Sequence, residues 1–96
     1  MTNKIEFEFT FLADGDHEAE SKSILYKEIR VIIADLIVSR AGITKEDILD
    51  WSADVGSMKM CSQVSGWHYN VAVTVNLTEE MEVNEIGSIQ NKWGGH

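Results

Sequence analysis

Cys61 and His68 are the two residues of this chain whose types best suit nucleophilic catalysis or metal binding. A thiolate–imidazole pair is the minimum for a cysteine nucleophile, and it is half of a zinc site. Both residues flank a predicted turn over 62–66, which would bring them near each other across a hairpin. A third group, such as Asp54 or His17, would have to come from elsewhere, and the chain has no metal-ligand spacing. We therefore expect Cys61 to be a small buried apolar residue, with neither catalysis nor a bound metal.

Acidic residues alternate between Asp14 and Glu20, as they do at the start of an EF-hand calcium loop. The match fails because Ala19 replaces the glycine at the sixth position and Leu25 replaces the glutamate at the twelfth. A solvated loop that caps the following helix is the better interpretation. The sequence also has no phosphate-binding glycine loop, G-x-S-x-G, H-E-x-x-H or C-x-x-C motif, so we expect no cofactor.

The charge balance indicates the class of partner. Sixteen acidic and eight basic residues give a formal net charge of -8. So few cations disfavour direct binding to nucleic acid or to an anionic membrane. The excess of negative charge favours a basic protein partner, including a protein whose surface normally holds DNA or RNA. The alternative is that the charge only keeps a small protein soluble.

The carboxylates form three clusters along the sequence. We predict that the first and third bind the partner: Asp14, Asp16, Glu18 and Glu20, then Glu79, Glu80, Glu82 and Glu85. The second cluster comprises Glu46, Asp47, Asp50 and Asp54. Against this interpretation, loops and helix starts are acidic in many proteins. Trp67, beside the predicted turn, is the tryptophan that we expect to be most exposed. It is either a hydrophobic binding anchor or a staple of the turn.

Alternation of apolar and polar residues predicts the strands that position these groups. One strand covers 5–11, and the clearest strand covers 69–77. Between them, apolar residues alternate over 49–60 and change phase at Gly56. The phase change indicates either a β-bulge in one strand or a tight turn between two shorter strands.

A long helix is predicted over Ser23–Ala41, ending at Gly42. Its main apolar stripe comprises Leu25, Ile29, Ile32 and Leu36, widened by Tyr26, Ile33 and Ile37. A second stripe comprises Ile24, Val31, Ala34 and Val38. A second helix, starting at Thr78 and carrying Met81, Ile86, Ile89 and Trp93, would cover the second stripe. The alternative is that the second stripe is the seam of a homodimer or of a bound partner.

The predicted order is β-α-β-(β)-β-α in a single α+β domain over 1–96. We expect a two-layer sandwich, with a mostly antiparallel sheet of three or four strands and two helices on one face. One cysteine allows no intrachain disulfide, which favours a reducing compartment. The sequence contains no signal-peptide pattern and no apolar run of about 20 residues, so we expect a soluble, cytoplasmic protein.

These features favour a non-enzymatic protein-binding module, an inhibitor or regulator that occludes a basic, nucleic-acid-handling protein. Small acidic inhibitors encoded by phages share this profile of size and charge, which is an analogy only. The first alternative is an oligomer that binds or converts a small molecule, with His68, Asn70 and Thr74 lining a pocket on the sheet. The second alternative is a structural subunit of a larger assembly.

Overall fold

Three antiparallel strands form one sheet in the computed structural model, with β3 between β1 and β2. The strands are β1 (Thr2–Asp14), β2 (Ile48–Met60) and β3 (Gly66–Met81). The structure describes residues 1–14, 18–60, 66–87 and 89. In this part of the chain a single long helix packs on one face of the sheet, so the predicted α+β class with an antiparallel sheet is confirmed.

Strand alternation places the apolar core between the sheet and the helix. Phe11 on β1 and Tyr69 on β3 are paired, and each is at most 1% exposed. The same side carries the other buried odd-numbered apolar residues of both strands: Ile5, Phe7, Phe9, Val71, Val73, Val75 and Leu77. Because side chains alternate across a strand, the even-numbered residues of β1 and β3 point away from the helix. We call this second surface the polar face.

Gly56 is a β-bulge in a single strand, which decides between the two alternatives left open by the sequence. Val55 pairs with Val71, but Ser57 pairs with Asn70, so β2 has one extra residue at Gly56. A second irregularity lies between Ile48 and Asp50. The bulge explains why the apolar alternation changes phase without a break in the strand.

The long helix consists of an α-helical segment, a π-helical segment and a final α-helical turn. These are Glu18–Val31, Ile32–Ile37 and Val38–Ala41. The helix ends at Gly42, as predicted, where φ is 75°. The N–H groups of Gly42 and Ile43 both donate to the carbonyl oxygen of Val38, at 3.1 and 3.2 Å. A left-handed glycine of this kind ends a helix at little conformational cost.

The π-helical segment changes which residues enter the core. Ile32 and Ile37 are five positions apart, and both are fully buried. Their spacing matches the i to i+5 repeat of a π-helix. A regular 3.6-residue repeat instead predicts Leu36 at this position, and Leu36 is only half-buried. The local change in repeat keeps the apolar stripe over the sheet until Ala41, which is 2% exposed.

The second helix predicted from Thr78 is wrong for the residues that the structure describes. β3 continues to Met81, which pairs with Thr2, and residues 82–87 form no helix. The N–H of Asn84 donates to Ala41 O at 3.0 Å, and Arg40 Nη1 donates to Ile86 O at 3.1 Å. Local helix preference is weak, and here strand pairing and contacts with the first helix override it. Trp93 lies outside the described residues.

The prediction that this helix covers the second stripe is therefore also wrong. Val31 is 44% exposed, whereas Ile24, Ala34 and Val38 are half-buried. The hydrogen bonds that join 82–87 to the long helix involve Arg40 and Ala41, at the end of that helix. Use of this stripe as an oligomer seam stays a prediction.

Candidate functional site

The polar face brings acidic residues from the two edge strands into register across the central strand. Glu8 on β1 and Asp54 on β2 both pair with Ala72 on β3. One row further along, Glu6 and Ser52 both pair with Thr74. In the first of these rows, the central strand places one small neutral residue, Ala72, between two carboxylates.

A groove lies between Glu8 and Asp54. The two residues lie two strand spacings apart, so that about 10 Å separates their backbones. The methyl group of Ala72 fills little of the space between them. The cavity measures about 550 Å³. Its lining comprises Glu8, Phe9, Thr10, Asp54, Gly56, Asn70, Val71, Ala72 and Ile89. We call it the Glu8–Asp54 groove.

The electrostatics of the groove differ from those of the neighbouring row. Lys4 Nζ lies 3.5 Å from Glu6 Oε1, in an exposed ion pair. Asp50 Oδ1 accepts a hydrogen bond of 2.6 Å from Asn76 Nδ2. Glu8 and Asp54 are exposed and have no ion-pair partner among the described residues. Their charges are therefore available to a cation from another molecule.

One end of the groove is neutral. Thr10 Oγ1 donates to Asn70 Oδ1 at 3.4 Å, across the β1–β3 pair. Ile89, half-buried, borders the groove and brings an apolar group to it. The groove can therefore contact both the charged group and the aliphatic stem of a long basic side chain.

The structure does not bring the two predicted acidic clusters together. Asp14 pairs with Gly66 at one end of the sheet, and Thr2 pairs with Met81 at the other. The ends of a strand of this length are on the order of 40 Å apart. Glu20, after Asp14, is exposed; at the other end the exposed residues are Glu79, Glu80, Glu82 and Glu85. Glu18 begins the helix, and Asp16 lies outside the described residues.

One acid of the second cluster has a structural role. Asp47 Oδ2 accepts a hydrogen bond of 2.9 Å from the Thr44 N–H, in a capping box around the short 3₁₀ turn Lys45–Asp47. Such a cap satisfies backbone donors that the turn leaves unpaired. The capping box therefore accounts for the Asp47 carboxylate without a role in binding a partner protein.

The side chain of Trp67 is less exposed than we expected from the sequence. It is half-buried and packs against the core, on the helix side of β3. A role as binding anchor stays a prediction. Asn70 and Thr74 lie on the polar face as predicted, but they line two different cavities, and His68 is not among the lining residues of either.

The described part of the chain gives no support for a metal site or for a Cys61–His68 catalytic pair. Cys61 lies outside it, so the Cys61–His68 pair is not described. Within residues 1–14, 18–60, 66–87 and 89, no three His, Cys, Asp or Glu residues are grouped as a metal site would require. Over the same residues, no helix has the length and apolar character needed to cross a bilayer.

Comparisons with known proteins add no family and no fold relative. No family model matches the chain, and no curated protein or solved structure matches it. Its function must therefore be argued from its own residues.

Sequence reasoning missed Glu8 as a site residue. The alternation in β1 already predicts that Glu6 and Glu8 lie opposite the phenylalanines. It does not reveal that Asp54 shares a row with Glu8, because that depends on β3 lying between the edge strands. Strand order was the missing information.

Proposed function

We propose that this protein is a non-enzymatic binding module whose polar face holds a basic segment of a partner protein. The observation that carries the proposal is the Glu8–Asp54 groove, in which two exposed carboxylates flank a small residue. Both carboxylates lack an ion-pair partner among the described residues.

A basic protein segment fits this surface better than other classes of ligand. The net charge of -8 repels nucleic acid and anionic lipid at long range and speeds encounter with a cationic surface. Within the groove, an arginine guanidinium supplies five N–H donors, and carboxylates are its usual acceptors. Two carboxylates about 10 Å apart suit two basic side chains, or one that contacts both in turn.

The predicted carboxylates at the ends of the sheet have a secondary role in this proposal. Glu79, Glu80, Glu82 and Glu85 are exposed and raise the negative potential around one end of the polar face. Exposed charges of this kind mainly increase the association rate and contribute little affinity each. The biological effect is that of an inhibitor or regulator. A partner whose basic surface is held by the polar face cannot use that surface for phosphates.

A cationic small molecule is the second candidate occupant. The groove, at about 550 Å³, falls within the usual size range of ligand sites. Its exposed carboxylates and few apolar groups favour an amine or guanidine over an uncharged compound. The two candidates share the same site, so experiments must separate them by the size of the captured species.

Capture from an extract of the source cell, with two matched charge variants, tests the proposal. The test variant is Glu8→Gln/Asp54→Asn, which removes both carboxylates of the groove. The control is Glu79→Gln/Glu80→Gln, which removes the same number of charges at an exposed end of β3. Bound proteins are eluted with a salt gradient, because an electrostatic contact between exposed charges weakens with ionic strength.

We expect the native chain and the control to retain the same basic protein, released at moderate salt, and the groove variant to lose it. Equal capture by both variants would overturn the assignment to the polar face. Capture of nothing by the native chain, combined with binding of a polyamine in a ligand screen, would favour the small-molecule candidate.

A further inference from the structure

The segment that follows β3 passes from the end of the long helix to the polar face. The carbonyl oxygen of Ile86 accepts a hydrogen bond from Arg40 Nη1, which holds this point of the segment at the helix end. Gly87 then lines a cavity that also includes Glu6 of the polar face. Ile89 borders the Glu8–Asp54 groove itself. The residues bonded to Ile89 on its far side therefore start beside the groove.

These following residues carry a positive charge and no carboxylate. The last acidic residue of the sequence is Glu85. The segment 90–96, which lies outside the described residues, consists of Gln90, Asn91, Lys92, Trp93, Gly94, Gly95 and His96. In a chain with a formal net charge of -8, Lys92 is thus a cation joined directly to the edge of an acidic groove. Opposite charges at this point favour contact between the two.

Lys92 is close enough in the sequence to enter the groove. Three residues of extended chain span at most about 10 Å, so the backbone of Lys92 lies within this distance of Ile89. The backbones of Glu8 and Asp54 are themselves about 10 Å apart. A lysine carries its ammonium group on a flexible four-carbon stem, which adds to this reach. Lys92 can therefore approach both carboxylates while Ile89 keeps its position.

The lysines of the sheet are placed less well for this role. The three strands contain two lysines, Lys4 and Lys59, and no arginine. The partners of Lys4 and Lys59 on β3 each lie four residues from Ala72, or about 13 Å along the strand. Lys4 is also already paired with Glu6. The segment after Ile89 is therefore the better source of a cation for the groove.

We propose that Lys92 of this chain binds the Glu8–Asp54 groove and competes there with the basic segment of a partner. The contact itself is independent of the partner, whereas the competition rests on the proposed function. A cation linked covalently to the site acts at a high effective concentration, although one exposed ion pair is weak. The groove then selects partners with two or more basic side chains, because a single cation gains nothing over Lys92.

Carbodiimide coupling of the full chain, followed by mass mapping of peptides from the monomer, tests the contact without a partner. The reagent joins a lysine amine to a neighbouring carboxylate as an amide, with loss of water. We expect a link from Lys92 to Glu8 or to Asp54. Lys27 is the internal control, since it is exposed on the long helix, on the other side of the sheet, and should form neither link. Absence of both Lys92 links would overturn the proposal.

The affinity for a short arginine-rich peptide tests the competition. Lys92→Gln removes the competing cation, and Lys27→Gln is the control with the same change of net charge. By calorimetry at low salt, we expect Lys92→Gln to bind the peptide about 2- to 5-fold more tightly than the native chain, the range expected for one exposed ion pair. Lys27→Gln should bind as the native chain does. Equal gains in the two variants would overturn the competition.

The two experiments distinguish failure of this proposal from failure of the proposed function. A peptide that binds all three chains equally, combined with no link from Lys92, would overturn the role of Lys92 and leave the proposed function standing. A peptide that binds none of them, combined with a link from Lys92 to Glu8 or Asp54, would overturn the proposed function. The groove would then be a site for the chain's own lysine.

Discussion

Glu8 and Asp54 lie on opposite edge strands and flank the same residue, Ala72, on the polar face. Both carboxylates are exposed, and neither forms an ion pair within the described part of the chain. At about 10 Å apart, two exposed like charges repel each other only weakly in salt. A cation from a partner that lies between them would be attracted by both.

Ala72→Lys places a cation of the chain's own between the two carboxylates. We expect the variant to be more stable than the native chain by about 0.2–1 kcal/mol, the usual value of cross-strand opposite-charge pairs. It should also lose the basic partner, because the new side chain fills and neutralises the groove. Urea unfolding and the capture experiment measure these two effects.

Ser39→Lys is the matched control, since it adds the same charge at an exposed position of the helix, on the side of the sheet opposite the polar face. It should leave capture largely unchanged. A variant Ala72→Lys that folds normally and still binds as well as the native chain would show that the groove is not used.

Leu36→Ala and Ile37→Ala test the π-helical segment. Ile37 is fully buried, so its truncation should lower the free energy of unfolding by about 2–5 kcal/mol. Leu36 is half-buried, and its truncation should cost about half as much. Urea unfolding of both variants gives the comparison. A larger loss at Leu36 would indicate a regular α-helix in which Leu36 occupies the core.

Val31→Arg tests whether the second stripe is covered. Because Val31 is 44% exposed, we expect the free energy of unfolding to change by no more than about 0.5 kcal/mol. Ile29→Ala, in the same helix and fully buried, should cost about 2–5 kcal/mol. Thermal unfolding followed by circular dichroism measures both. If Val31→Arg prevents folding, the stripe is buried against another part of the chain or another molecule.

Gly42→Ala tests the end of the helix. A residue with a side chain costs about 1–2 kcal/mol in the left-handed region, and the added Cβ would lie 3.1 Å from Asn84 Nδ2. Gly87 has the same φ of 75°, but an added Cβ would meet no atom within 4 Å. We expect Gly42→Ala to lower the urea midpoint more than Gly87→Ala. Equal midpoints would mean that the contact with Asn84 contributes nothing measurable.

Residue patterns predicted much of the fold because side-chain periods are local properties. The alternation of phenylalanines in β1 and the glycine end of the helix at Gly42 are visible in the sequence. The phase change at Gly56 is visible too, but it left a bulge and a tight turn as alternatives. The second helix predicted from Thr78 is wrong over the described residues 78–87. Acidic residues favour a helix start locally, but the Met81–Thr2 pairing and the Asn84–Ala41 hydrogen bond decided the outcome.

The candidate site was harder to predict than the fold. Clusters along the sequence predicted sites at Asp14–Glu20 and at Glu79–Glu85. Of these ranges, Asp14 and Met81 are paired at opposite ends of the sheet. The groove instead combines Glu8 and Asp54, which are far apart in the sequence and adjacent only through the strand order. A site assembled by topology leaves no local signal in the sequence.

The most direct test of the polar face is a nuclear magnetic resonance titration of the labelled chain with a short arginine-rich peptide. We predict that backbone amide shifts concentrate at Glu8, Asp54 and Ala72, and that they disappear at about 0.5 M NaCl. The Glu8→Gln/Asp54→Asn variant should show no comparable shifts. Shifts confined to Glu79–Glu85, or the absence of any saturable shift in the native chain, would contradict binding by the polar face.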